Sequence, residues 1–225
     1  MKVNDFLIEL VIYIMNNIYQ LYLQLYEKHG DPKSLWPQWC TKKKTESLRE
    51  IIALGAILTQ RTSWHNANFA LTNLKKKKLL SIKKIAEIDK PEKLKELIRP
   101  AGFYQTKPKR LLAFSSFIIN EYGGLKKFMD EELQVAREKL LSLYGIGPET
   151  ADTILLYALD KPTFVIDEYT RRLVKQKKLS DDLTYTFLKN LFEKNLPRDI
   201  TIFQNFHALI IIEQKGRKGS IMEIV

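Results

Sequence analysis

The stretch Leu140–Leu173, LLSLYGIGPETADTILLYALDKPTFVIDEYTRRL, decides the fold. A helical pattern ends near Tyr144 and runs into Gly145-Ile146-Gly147, after which Pro148 opens a second helix. Proline suits a first helical position, where its missing N–H has no intrahelical partner to lose. Two glycines around one apolar residue allow a tight turn, with Ile146 plugging the gap between the helices. Backbone N–H groups at the start of the second helix then face outward, a ready anion site that suits a duplex phosphate. Such a contact positions a protein on DNA without reading sequence. Further on, Asp167 stands before a helix predicted to start at Glu168, where aspartate is a good N-cap.

Outward from this stretch the periodicity is helical. Leu7, Val11, Ile14, Ile18, Leu21 and Leu25 step by four and three residues, one face of a long helix that Lys28, His29 and Gly30 close. That face is expected to pack on its own core rather than form a coiled coil. Residues 33–44 are irregular and carry Trp36, Pro37 and Trp39. Helical spacing returns at Leu48, Ile51, Ile52, Gly55 and Leu58, again from Ser63 through Leu74, and in shorter runs up to Met129. Lys75–Lys78 reads as a solvated loop or helix end. Thr163–Ile166 and Leu209–Ile212 are short apolar runs of strand length, but nothing pairs with them at hairpin spacing. The expected class is all-α.

Composition bounds the function. The 225 residues include 37 Lys+Arg and 26 Asp+Glu, a net charge of +11, which points to a polyanion as partner. Hydrophobic residues at 45% exclude intrinsic disorder. A single cysteine, Cys40, excludes an internal disulfide, a zinc site built from cysteines and a four-cysteine iron–sulfur cluster. Phe6–Met15 is interrupted by Glu9 and falls short of the ~20 residues a membrane helix needs. It also lacks a signal-peptide cleavage pattern, so the expected location is cytoplasmic, with no membrane partner.

Ordered stretches along the chain carry a resemblance. Leu143-Tyr144-Gly145-Ile146-Gly147-Pro148-Glu149-Thr150-Ala151 resembles the helix–hairpin–helix of the endonuclease III superfamily of DNA glycosylases, and Val165–Arg172 resembles its catalytic aspartate segment. Ile57–Trp64 and Ile98–Tyr104, the latter followed by Lys107, Lys109 and Arg110, agree with it. Phe206–Ile210 is similar to the helix that normally precedes the cluster cysteines, and the resemblance spans about residues 16 to 215. It implies a two-domain helix–hairpin–helix glycosylase fold. Residues 45–160 would form a six-helix domain carrying the hairpin; residues 1–44 and 161–225 would form a second helical domain built from both termini.

The same resemblance assigns roles. Asp167 would be the catalytic carboxylate, stabilising the positive charge that develops on the sugar or activating water; capping and catalysis are compatible. Gly145, Ile146, Gly147, Lys107, Lys109 and Arg110 would contact DNA, and Gln60 would wedge into the gap left by a flipped nucleotide. Glu149 stands where bifunctional relatives have the lysine that forms a Schiff base, which implies hydrolysis without strand cleavage. As an acid in a first helical turn, Glu149 also suits the helix dipole. After His207 the chain has no cysteine, so the cluster of most relatives is not expected; a monovalent cation at the hairpin stays open. His207 reads as a buried, hydrogen-bonded histidine rather than a general base.

The lack of lysine and cluster, with the upstream Trp-Pro, is most similar to the 3-methyladenine DNA glycosylase III branch. Trp36, and less securely Trp39, would stack on the flipped purine, whose alkylation favours an aromatic face. Trp64 and Tyr104 are pocket candidates, with packing as the alternative. The resemblance thus implies a monomeric, monofunctional glycosylase of base excision repair, acting on double-stranded DNA with a damaged base and associated with the nucleoid through it. A mismatch or oxidised-base glycosylase of the superfamily (thymine, uracil, adenine or 8-oxoguanine), or a non-catalytic DNA-binding module, stays as the alternative.

Overall fold

The computed structural model describes residues 17–220 and residue 222. Leu7, Val11 and Ile14 lie outside the described residues; Ile18, Leu21 and Leu25 lie within α1 (residues 17–29) and are buried. Among the described residues there are helices and no strands. Val165 and Ile166 belong to an extended segment without a strand partner, and Leu209–Ile212 lie inside a helix, so neither apolar run is a strand. Both runs are buried on all sides, and a short continuous apolar run cannot distinguish a strand from a buried helix segment.

The chain divides into two compact units: one holds the described residues up to Cys40 together with residues 162–220, the other Thr41–Lys161 with Met222. The second contains α2 (Glu46–Leu58), α3 (Trp64–Lys76), α4 (Ile82–Ala86), α5 (Glu92–Ile98), α6 (Lys107–Tyr122), α7 (Leu125–Phe128), α8 (Leu133–Leu141) and α9 (Pro148–Thr153). Side-chain caps set four of the starts: Thr45, Ser63, Ser81 and Glu132 accept from the N–H groups of Leu48, Asn66, Lys84 and Gln134. Gly55 lets α2 and α3 approach closely, since a Cβ there would lie 3.1 Å from the Trp64 ring. Lys75–Lys78 are exposed at the end of α3, as a solvated run should be. Ile52, Leu58, Leu71, Ile85, Ile98 and Phe114 fill the core.

Helix α9 does not stop at Thr153 but widens into a π-helical turn, Ile154–Ala158. Arg49 donates to the Ala158 carbonyl at 2.7 Å, and Lys44 and Arg49 both pair with the Asp160 carboxylate just beyond it. Arg137 of α8 holds the fully buried Asp152 with two bonds, at 2.8 and 3.1 Å, which fastens α9 to α8.

In the other unit, α1 is joined by α10 (Glu168–Gln176), α11 (Tyr185–Asn195) and α12 (Ile200–Lys215). Its core is aromatic. Phe164 stacks on Phe192 at 4.6 Å and meets Phe203 and Phe206, while Tyr22 of α1 meets Phe206 from 5.5 Å. Glu193 of α11 accepts the Phe164 N–H at 2.8 Å, replacing the ladder bond this extended segment lacks.

Candidate functional site

Asp167 ends the extended segment that Phe164 anchors and caps α10. One carboxylate oxygen, Oδ1, accepts the Thr170 N–H at 2.7 Å and the Thr170 hydroxyl at 2.9 Å. The other, Oδ2, lies 3.4 Å from Nε2 of His207 on α12. Only 8% of Asp167 is exposed. Burial pushes its pKa up, but the His207 imidazole and the two Thr170 bonds outweigh burial, and the net shift is below the usual aspartate range. The result is a buried carboxylate that stays ionised near neutrality.

The capping role foreseen for Asp167 is therefore present, and His207 is buried as expected. Thr170 was not singled out from the sequence, although an Asp three residues before a Thr at a helix start is a readable capping signal. Trp36 and Trp39 are both buried; their rings meet edge-on at 6.0 Å, and Trp36 meets His207 edge-on at 6.2 Å. Trp36 thus sits beside the imidazole that faces Asp167.

In the other unit the hairpin has the geometry its glycines demand. Gly145 has φ +75°, a left-handed conformation, and its Cα faces Arg110 so closely that a Cβ would lie 2.4 Å from the Arg110 Nε. Ile146 is buried between the helices, Gly145 and Gly147 are exposed, and Pro148 begins α9 with Glu149 exposed in its first turn. Gln60 does not project freely: its amide donates to the Gly145 carbonyl and the Thr150 hydroxyl, both at 2.9 Å, and its carbonyl accepts from Arg110. Arg110 thereby braces both Gln60 and the hairpin, a role beyond the phosphate contact expected of it. Lys109 is exposed.

Lys107 corrects an expectation. It is fully buried, and its ammonium donates to the carbonyls of Leu58 and Ala101, both at 2.7 Å, so it does not reach a phosphate. The first turn of α6 faces inward because Pro108 and Leu111 share the buried face with it. Trp64 is buried against Gly55, which is the packing alternative, whereas Tyr104 is 37% exposed with the Arg99 guanidinium 4.9 Å from its ring centre.

Sequence reasoning passed over Phe103. Its ring is 48% exposed while its backbone sits at φ +48°. Arg61, the residue after Gln60, has φ +53°. Such backbones cost on the order of 1–3 kcal/mol each and persist where the surroundings impose them, often at functional sites. Exposure and φ are not encoded in local pattern, so only the flanking Gly102 hinted at this turn.

The four thiolates of an iron–sulfur cluster do not fit this chain, whose one cysteine, Cys40, is buried. Where α12 ends, charge does the fastening. Glu213 pairs with Lys28 at 2.9 Å and His29 at 2.6 Å, and Arg217 donates to the His29 carbonyl at 2.7 Å. Among the described residues, no helix is long and apolar enough to cross a membrane.

Comparison with known proteins agrees. A family model described as HhH-GPD superfamily base excision DNA repair protein matches residues 54–198. A Methanocaldococcus jannaschii protein described as a DNA repair glycosylase is 44% identical over 197 residues, 86% of this chain and 85% of that one. Endonuclease III of Thermotoga maritima is 28% identical over 162 residues, 70% of this chain and 69% of its own. The crystal structure of the H. pylori 3-methyladenine DNA glycosylase bound to 1,N6-ethenoadenine aligns with a TM-score of 0.70 at 30% identity, covering 91% of this chain and 98% of that one. A non-covalent endonuclease III–DNA complex aligns with a TM-score of 0.63 at 18% identity, over 87% and 85% of the two chains, which shows the shared fold.

Proposed function

Since the chain belongs to the HhH-GPD superfamily of base excision DNA repair proteins, we propose that it is a monofunctional DNA glycosylase that hydrolyses the N-glycosidic bond of a flipped, alkylated purine. The observation that carries this reading is the carboxylate of Asp167, buried yet held ionised by Thr170 and His207. Loss of a base leaves positive charge on the sugar, and a fixed carboxylate in a dry setting opposes that charge without having to reorganise. Cationic, electron-poor purines leave easily, so a single carboxylate suffices.

Glu149 supports hydrolysis alone. A carboxylate cannot form the Schiff base through which an amine cleaves the strand, and Glu149 stands in the first turn of α9 where a lyase of this superfamily carries its lysine. The similarity to the H. pylori enzyme, named for 3-methyladenine and solved with 1,N6-ethenoadenine, supports an alkylated base as substrate. In this reading the protein acts as a monomer on double-stranded DNA, without a cluster. The hairpin and Lys109 meet phosphates, while Gln60 and the exposed Phe103 enter the duplex as the nucleotide leaves.

The test is a panel of duplexes carrying 3-methyladenine, 7-methylguanine, 1,N6-ethenoadenine, hypoxanthine, uracil, G·T and 8-oxoguanine, with abasic sites developed by alkali. Release of the alkylated purines, strand breaks only after alkali, and no borohydride-trapped adduct are expected. Release confined to G·T, uracil or 8-oxoguanine would replace the substrate assignment, and strong trapping would overturn the monofunctional one.

A further inference from the structure

Lys107 carries a charge that the fold has buried completely and, among the described residues, paired with no carboxylate. Its ammonium has three hydrogens and three neighbours: the carbonyl of Leu58, the carbonyl of Ala101, and the face of the Phe103 ring, whose centre is 5.7 Å away. Leu58 is the last residue of α2, two before Gln60; Ala101 is two residues before Phe103. The two segments that meet at this ammonium are thus the two that carry the side chains read above as entering the duplex. Both also carry a non-glycine residue in the left-handed region, Arg61 and Phe103. The Phe103 carbonyl is itself fixed, accepting the N–H groups of Thr106 and Lys107 at 2.9 Å each.

We propose that Lys107 is a positioning residue for base flipping, which rests on the glycosylase reading: its ammonium ties the end of α2 to the 101–103 turn, so that Gln60 and Phe103 are held at a set spacing and the left-handed backbones of Arg61 and Phe103 are kept in place. A neutral apolar side chain of the same length fills the space but leaves two buried carbonyls without a donor and releases the Phe103 ring. Charge is what the arrangement requires. Two carbonyl dipoles and an aromatic face converge on one point, and each of the three favours a cation there.

The protonation state makes this testable without a variant. Burial, with a smaller contribution from Arg110 on the same helix, lowers the Lys107 pKa to about 8; no other charged group among the described residues acts on it. The tie is therefore nearly complete about one unit below that pKa and weakens as pH rises through about 8.

The experiment compares single-turnover release of one lesion that the panel identifies, placed opposite its partner base or opposite a tetrahydrofuran gap. Extruding an unopposed nucleotide costs less, so a positioning defect shows on the paired substrate first. Lys107→Met is expected to slow release from the paired duplex about tenfold, a loss of the size of part of the flipping cost, and to change the gapped duplex less than about twofold. The wild-type paired-to-gapped ratio is expected to fall between pH 7 and pH 9, and the Lys107→Met ratio to stay flat. An equal loss on both substrates, or no loss on either, would overturn the proposal by making Lys107 merely structural or dispensable. Should Lys107→Met fail to fold, the wild-type pH arm decides, a flat ratio counting against the proposal. Fluorescence of 2-aminopurine beside the lesion reads flipping itself. If the wild type flips but releases nothing, the glycosylase reading fails while Lys107 is still judged by the fluorescence of the same pair of duplexes.

Discussion

Asp167 does two jobs with two oxygens: Oδ1 starts α10 through Thr170, and Oδ2 lies beside His207. Asparagine caps a helix about as well as aspartate, so Asp167→Asn is expected to leave the thermal midpoint within a few degrees of wild type. Base release should nevertheless fall by at least about a hundredfold, because the charge that opposes the sugar cation is gone. Unchanged release in a single-turnover assay would refute the catalytic assignment. Thr170→Val keeps the backbone bond and removes the hydroxyl bond. Since the native carboxyl titrates below its usual range, the wild type keeps an ionised Asp167 down to acid pH. A hydrogen bond to a charged group is worth about 1.5–3 kcal/mol, so its removal should move the acid limb of the release profile upward by about one to two pH units. An unmoved limb would show that Asp167 does not govern it.

The hairpin and its braces belong to the scale of the element. Gly145 is required twice, once by φ +75° and once by the Arg110 side chain packed against its Cα. Gly145→Ala must therefore adopt a strained backbone and displace Arg110, which also releases Gln60. The expected cost is about 1–3 kcal/mol of stability, with weaker binding to undamaged duplex. Gly147→Ala is the control, since nothing lies within 4 Å of a Cβ there and its φ is negative. Denaturant titration and duplex binding of the two variants should separate them; equal behaviour would mean that the Arg110 brace carries no weight. Helix α6 supplies both Arg110 and Lys107, one bracing the hairpin and one tying together the turns beside it. That pairing explains why Lys107 and Arg110 turn inward while Lys109 in the same turn is exposed.

At the scale of the molecule, charge joins helices from opposite ends of the described chain. The ends of α1 and α12 are fastened by Glu213 with Lys28 and His29, and by Arg217 on the His29 carbonyl. Burial raises the Glu213 pKa, but Lys28 and His29 outweigh it, so the net shift is downward. A carboxylate with a depressed native pKa stabilises the fold above its unfolded value and loses that contribution as pH falls through the folded one. Glu213→Gln is accordingly expected to cost about 1 kcal/mol at pH 7 and progressively less below pH 4. A difference from wild type that does not shrink in acid would remove Glu213 from this role. The net charge of +11 makes a further prediction. Affinity for undamaged duplex should fall linearly on a log–log plot against salt, by about one power of ten or more between 50 and 200 mM. A flat plot would mean that the excess of cations does not face the phosphates.

Local pattern carried the helical class, the hairpin and the cap at Asp167. Each depends on neighbours in sequence: proline after a Gly-x-Gly turn, aspartate before a helix. The runs at Thr163–Ile166 and Leu209–Ile212 were ambiguous because burial on all sides erases periodicity. Lys107 was misread for a related reason. A lysine among cations at the start of an amphipathic helix looks solvated until the carbonyls of Leu58 and Ala101, the former 49 residues distant in the chain, are brought to it. The tethering of Gln60 to Gly145 and the approach of His207 to Asp167 are likewise contacts between segments far apart in sequence. Sequence alone determined which groups this protein has and which helices display them. Only the tertiary structure decided which of those groups are buried, which are paired and which remain open to DNA, because desolvation and long-range hydrogen bonding exist only once the segments have met.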